Sequence, residues 1–193
     1  MSSANIEDQS LIQIPNQFCK EGFRFIKLLP YDKRPIEKWK DPNNQYSWND
    51  DALIHYMHAG GNYAIVFGED ICVLDVDNEN TFKSCNILEY FEGCTFTVKT
   101  GRGKHFYFKN NAIEKKFVFG GGQNHIGEII PLSGRYYIVG PGSYHPNGRR
   151  YEIISDDSFK YFTLDELNEI FYSLFKKLNH VNFSGVGYDS YYR

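Results

Sequence analysis

No stretch of this chain approaches the ~20 consecutive apolar residues needed to cross a bilayer. The opening MSSANIEDQS carries acidic and polar residues where a secretory signal needs a basic start and an apolar core. Both absences predict a cytoplasmic protein that makes no use of a membrane. Cys19, Cys72, Cys85 and Cys94 show no CxxC spacing, which argues against a zinc knuckle or a redox pair and leaves buried free thiols. Excess positive charge is lacking too: 21 Lys and Arg stand against 24 Asp and Glu, for a net charge of −3. What the chain does have is aromatic side chains, 15 Tyr and 16 Phe, which suit either pleated strands or a surface that stacks on bases.

The charge is unevenly spread. Between Lys99 and Arg150 nine basic residues face only Glu114 and Glu128, so this segment is +7 and the remainder −10. Such a run is either a solvated face or a footprint for phosphates, and the positions of the carboxylates decide between them.

The element pattern is α+β, with a mainly antiparallel sheet and helices packed on it. A lead over residues 1–22, its first ten loosely attached, precedes a domain over 23–180, and 181–193 form a mobile tail. Phe23 to Leu29 reads as a strand, followed by a basic, turn-rich loop. Asn49 is expected to cap a short helix ending at Gly60. The apolar runs Asn62 to Gly68 and Ile71 to Asp77, separated by Glu69 and Asp70, read as a hairpin. Residues 79–91 carry helical spacing. Two strands flank the turn Gly101-Arg102-Gly103. His125 to Ile130 and Arg135 to Gly140 read as another strand pair. Thr163 with Glu166 fits a capping box opening a last helix that runs to about Leu178.

Three motifs carry chemistry. Asp75 and Asp77, at the end of an apolar strand, share one face about 7 Å apart at the backbone. Carboxylates so close repel unless a cation lies between them, and oxygen ligands of this type suit Mg2+ or Mn2+. An acidic strand end leading into a turn is the plainer explanation of that pair taken alone. Second, Thr100-Gly101-Arg102-Gly103-Lys104-His105 combines a glycine turn, two cations and backbone N–H groups able to meet phosphate. Third, Glu128 sits in an otherwise apolar strand, where a carboxylate needs a partner, a metal or an exposed edge. Ser143 and His145, in Pro141-Gly142-Ser143-Tyr144-His145-Pro146, bond either phosphate or ribose, or stabilise their own turn.

In this order, GNYAIVFGEDICVLDVD, TGRGKHFYF and GEIIPLSGRYYIVGPGSYHPNGRRYE resemble the primase-polymerase domain of archaeal plasmids and related mobile elements, in the archaeo-eukaryotic primase superfamily. The resemblance covers roughly residues 23–154 and includes the upstream Lys33-Arg34-Pro35 and Trp39. It implies a catalytic core in which one lobe joins a second, resembling an RNA-recognition sheet, with the active site in the cleft between them. By it, Asp75, Asp77 and Glu128 are the catalytic acids and the ligands of two Mg2+ or Mn2+ ions. Arg102, Lys104 and His105 hold the triphosphate of a nucleoside triphosphate, and Ser143 and His145 line the nucleotide site. Gly142 stands where the family has a second proline.

The implied reaction is template-directed attack of a primer 3′-hydroxyl on the α-phosphate, with a DNA primer and template as partners. Lys33, Arg34, Lys115, Lys116, Arg149 and Arg150 are candidates for contact with the nucleic-acid backbone. The sequence contains no zinc-binding stem or helicase region, so starting primers is expected to require a helicase or accessory priming domain in trans. One rival is a catalytically silent nucleic-acid-binding replication factor of the same fold, which has no need of all three acids. Another is a metal-dependent nuclease, which has no use for a triphosphate site.

Overall fold

The computed structural model describes residues 11–180 and Phe183. The lead expected at 1–10, and the tail expected at 181–193 apart from Phe183, lie outside the described residues. Strand β1 (Arg24–Leu28) is followed by a loop and helix α1 (Asp51–His58). The cap of α1 is Asp50 and not Asn49: the Asp50 side chain accepts the Ala52 N–H at 2.9 Å. Gly60, beyond the helix, takes φ +90, a left-handed backbone that only glycine adopts without strain.

Two expected strand pairs are each one long strand. β2 runs without a break over Asn62–Val76, and β6 over Gly127–Val139. A two-residue hairpin turn of the favoured type needs positive φ at both central residues. At Glu69-Asp70 only Asp70 has it, at φ 57. The irregularity is absorbed as bulges, with register shifts between Phe67 and Cys72, opposite Pro131 to Ser133, and between Ile65 and Phe67, opposite the segment of β6 where Gly134 takes φ +81. Pro131 is tolerated within β6 because the neighbouring β5 (Phe117–Phe119) covers only Gly127 to Ile129, leaving an open edge beyond.

The helical spacing over 79–91 resolves into α2 (Glu79–Ser84) and a separate 3-10 turn at Leu88–Tyr90. Asn86, at φ 56, breaks the helix between them. After β3 (Thr97–Lys99) and β4 (Lys104–Lys109) come β7 (Glu152–Ser155), β8 (Lys160–Tyr161) and α3 (Leu164–Leu178). The capping box of α3 forms as expected: Thr163 Oγ1 accepts the Glu166 N–H at 3.2 Å, and Glu166 accepts the Thr163 N–H at 2.7 Å. The sheet has eight strands in the order β5-β6-β2-β4-β3-β7, with β1 beside β2 and β8 beside β4. All pairs are antiparallel except β4 with β8.

Alternation along β2 and β4 feeds two cores. Ile71, Val73 and Tyr107 face one, where Leu53 and Met57 of α1 and the upstream Ile12 and Phe18 pack. Cys72, Leu74, Phe106 and Phe108 face the other, covered by α2 and by the Leu167, Phe171 and Leu174 stripe of α3. Each fully buried Phe or Leu contributes about 1.5–3 kcal/mol. With both faces covered, a polar side chain is accommodated at the end of the strands, where cover runs out.

Candidate active site

That end is where the acids lie. Asp75 of β2 pairs with His105 of β4 on one side and with Glu128 of β6 on the other. Directly opposed residues of antiparallel neighbours share a face, with Cβ atoms roughly 4.5–5.5 Å apart. His105, Asp75 and Glu128 therefore form a row across three strands. Asp77 follows just past the strand, its N–H donating to Ile126 O at 3.0 Å. Gly103 brings the β3–β4 turn against this end of β2; a Cβ there would lie 1.7 Å from the Val76 carbonyl oxygen.

Each acid faces a basic group. His105 Nε2 lies 3.4 Å from Asp75 Oδ1, His125 Nε2 lies 3.0 Å from Asp77 Oδ2, and Lys116 Nζ lies 2.9 Å from Glu128 Oε2. Burial pushes the Asp75 carboxyl upward, but His105, Lys33 and His125 together outweigh it and hold the group below the usual range. His105 is buried, and its Nδ1 has no partner among the described residues.

Two of the backbone donors expected of the turn after β3 are engaged within it. Thr100 Oγ1 accepts the N–H groups of Arg102 at 3.2 Å and Gly103 at 2.9 Å. The turn also serves as a seat for His145: a Cβ on Gly101 would lie 2.5 Å from that ring, and Gly101 O accepts from Asn147 Nδ2 and Arg149 Nη1. His145 Nδ1 accepts the Asn147 N–H at 3.2 Å, so its ring proton belongs on Nε2. Burial, with Lys33 and Arg102 nearby, pushes its pKa down, making His145 a neutral donor at pH 7. Ser143 is fully buried and clips its loop to β2, accepting the Tyr63 N–H and donating to Tyr63 O.

The remaining candidates divide. Arg102 is exposed beside His145. Lys104, one residue from His105, points to the opposite face and holds Glu92 at 2.7 Å and Glu79 at 3.4 Å. Arg150 donates to Gly142 O and Leu11 O. Arg34 pairs with Asp32 at 2.6 Å and holds that carboxyl at about 2, while Lys115 is exposed. Lys33 is exposed, yet its charge acts on both Asp75 and His145, because Tyr137 and Asn62 bond the backbone of its loop.

Two residues escaped the sequence reading. Tyr151 is buried with its ring 5.6 Å from His105 and 6.0 Å from His145, and burial, with Asp75 and Asp77, pushes its hydroxyl pKa up. His125 lies beside Asp77. Tyr151 lies within the quoted segment ending NGRRYE without being singled out there, and His125 stands three residues before Glu128.

The oxygen donors of Asp75, Asp77 and Glu128 fit hard divalent cations such as Mg2+ or Mn2+. Among the described residues no three acidic, histidine or cysteine groups are already gathered to hold one ion; each carboxylate is turned to its own basic partner. Among the described residues, no helix is long and apolar enough to cross a membrane. No curated protein matches the chain. The family described as "Bifunctional DNA primase/polymerase, N-terminal" matches residues 16–170 with its model, and the chain belongs to this Prim-Pol family.

Proposed function

We propose that this chain is a template-directed nucleotidyltransferase that extends a DNA primer by attack of its 3′-hydroxyl on the α-phosphate of a nucleoside triphosphate. The observation that carries this reading is the row His105–Asp75–Glu128 across three adjacent strands, with Asp77 beside it. Three carboxylates on one face are more than a binding module needs.

Asp75, Asp77 and Glu128 would hold the ions. Bound there, Mg2+ or Mn2+ would supply Lewis acidity for the primer hydroxyl and positive charge for the pyrophosphate leaving group. His145 Nε2–H, Arg102 and Lys33 supply one neutral donor and two cations for phosphate oxygens. His105 stands next to Asp75 and orients toward the same face. Tyr151 backs both histidines and fixes their ring planes. A partner helicase or accessory priming domain would supply primer initiation.

The test is incubation with a labelled primer-template, deoxynucleoside triphosphates and Mg2+ or Mn2+. Lengthening of the primer, lost in Asp75→Asn, supports the reading. Shortening would favour a nuclease, and an unchanged primer with DNA bound would favour a silent replication factor.

A further inference from the structure

Beside the acids, one tract of the surface carries aromatic and basic residues together. Between β1 and α1 the chain interleaves Lys33, Arg34, Lys38 and Lys40 with Tyr31, Trp39, Tyr46 and Trp48. This segment is pinned to the sheet. The Leu29 N–H donates to Arg34 O at 2.9 Å, the Ile36 N–H to Lys27 O at 3.2 Å, and the Tyr137 hydroxyl to Lys33 O at 3.2 Å. The pinning sets Trp39 edge-on against Tyr137 of β6, with ring centroids 5.2 Å apart, and puts the Lys40 ammonium 5.4 Å from the Trp39 ring.

The adjacent residue Tyr136 lies near the acids. Its ring lies 5.9 Å from the ammonium of Lys116, which itself contacts Glu128 at 2.9 Å. Two aromatic–basic groupings thus lie at neighbouring positions of β6: Lys116 with Tyr136, the lysine also holding Glu128, and Lys40 with Trp39 against Tyr137. The three rings are only partly buried, packed on the first core at one side and open at the other. Rigid rings with an open side, flanked by cations, are the arrangement that stacks on nucleobases and neutralises the phosphates between them.

We propose that this tract binds the unpaired template strand, stacking its bases on Tyr136 and Trp39, with Lys40 and Lys116 facing the backbone. The proposal rests on the reading of the chain as a template-directed polymerase. Duplex DNA hides its base faces, so exposed rings accept only unpaired bases. In primer extension the unpaired segment is the template beyond the primer terminus. A tract that begins at Glu128 holds that segment where the next templating base must be presented.

The test compares the intact chain with Trp39→Leu and Tyr136→Leu, using fluorescence anisotropy with labelled oligodeoxythymidylate. Each variant is expected to bind about tenfold more weakly, the loss of one stacked base. Extension should fall more on templates with a long 5′ overhang than on those with a single-nucleotide overhang. A second measurement does not depend on those variants folding. In Trp48→Phe the remaining tryptophan is Trp39, and oligonucleotide should quench its fluorescence. Undiminished affinity in well-folded variants, or no quenching, overturns the proposal. If the intact chain extends no primer yet binds single strands through Trp39, the polymerase reading fails and the tract stands. If it extends primers and the tract variants bind normally, the reverse holds.

Discussion

Asp75 and Glu128, fifty-three positions apart in the chain, stand directly opposite each other on adjacent antiparallel strands. His105 stands opposite Asp75 on its other side. Asp75 is therefore the centre of the site, and its removal is expected to be the most damaging single change. Asp75→Ala or Asp77→Ala should lower extension by roughly a thousandfold or more, as losing several kcal/mol of transition-state charge stabilisation requires. Both should keep the far-ultraviolet dichroism and cooperative melting of the parent. Substantial activity in either folded variant would contradict their role as metal ligands.

Glu128 and Lys116 make a partly exposed ion pair, with side chains 18% and 35% accessible. Pairs of this kind contribute about 0–1 kcal/mol. Glu128→Gln should therefore melt within a few degrees of the parent while losing extension. Lys116→Ala removes the cation that competes for Glu128, and it should lower the Mn2+ concentration giving half-maximal binding, measured by calorimetry. A higher metal requirement in Lys116→Ala would show that the lysine assists the ion instead of opposing it.

His145 links stability to pH. Its pKa in the folded chain lies below the ordinary 6.5, chiefly from burial. Above 6.5 both folded and unfolded forms are neutral and the full stability is present. As pH falls below 6.5 the unfolded chain takes up the proton first, so stability drops until the folded pKa is passed. His180, also depressed by burial, adds to the same loss. Thermal melts between pH 7.5 and 5 should show a shallower decline in His145→Gln than in the parent. Parallel slopes would mean that His145 titrates normally when folded.

Cys72 lies in the second core, where burial, with Asp70 adding to it, pushes its thiol up to about 12. Alkylation of the native protein near neutral pH should spare Cys72, whereas in denaturant all four cysteines should react. Peptide mass spectrometry distinguishes the sites. Rapid native labelling of Cys72 would show that this core opens readily.

Several of the basic residues between Lys99 and Arg150 are engaged within the protein: Lys104 with Glu79 and Glu92, Lys116 with Glu128, and Arg149 with Gly101 O. Single-stranded DNA binding is thus expected to involve about three phosphates, giving a log–log salt slope near −2 at roughly 0.7 per contact. A titration of binding against salt concentration measures this slope, and a flat response would reduce the +7 segment to a solvated face.

Local interactions were legible in the chain itself. The capping box of Thr163 and Glu166 and the apolar stripe of α3 depend on residues within one or a few turns. Each is decided by backbone geometry over a few residues. The order of the three motifs is legible as well, and it carries the resemblance to the Prim-Pol family.

Tertiary structure decided what neighbours across the sheet do to a segment. Glu69-Asp70 has the composition of a turn, yet β2 continues through it because β6 pairs with it on both sides of the bulge, and ladder hydrogen bonds outweigh a local turn preference. Register then set the site. A strand shifted by one residue would have sent Glu128 to the far face, as alternation sends Lys104 away from its neighbour His105. Tyr151 and Lys33 reach Asp75, and His125 reaches Asp77, only through folding of segments distant in sequence, because no pattern along the chain encodes a distance between segments that the assembled sheet alone establishes.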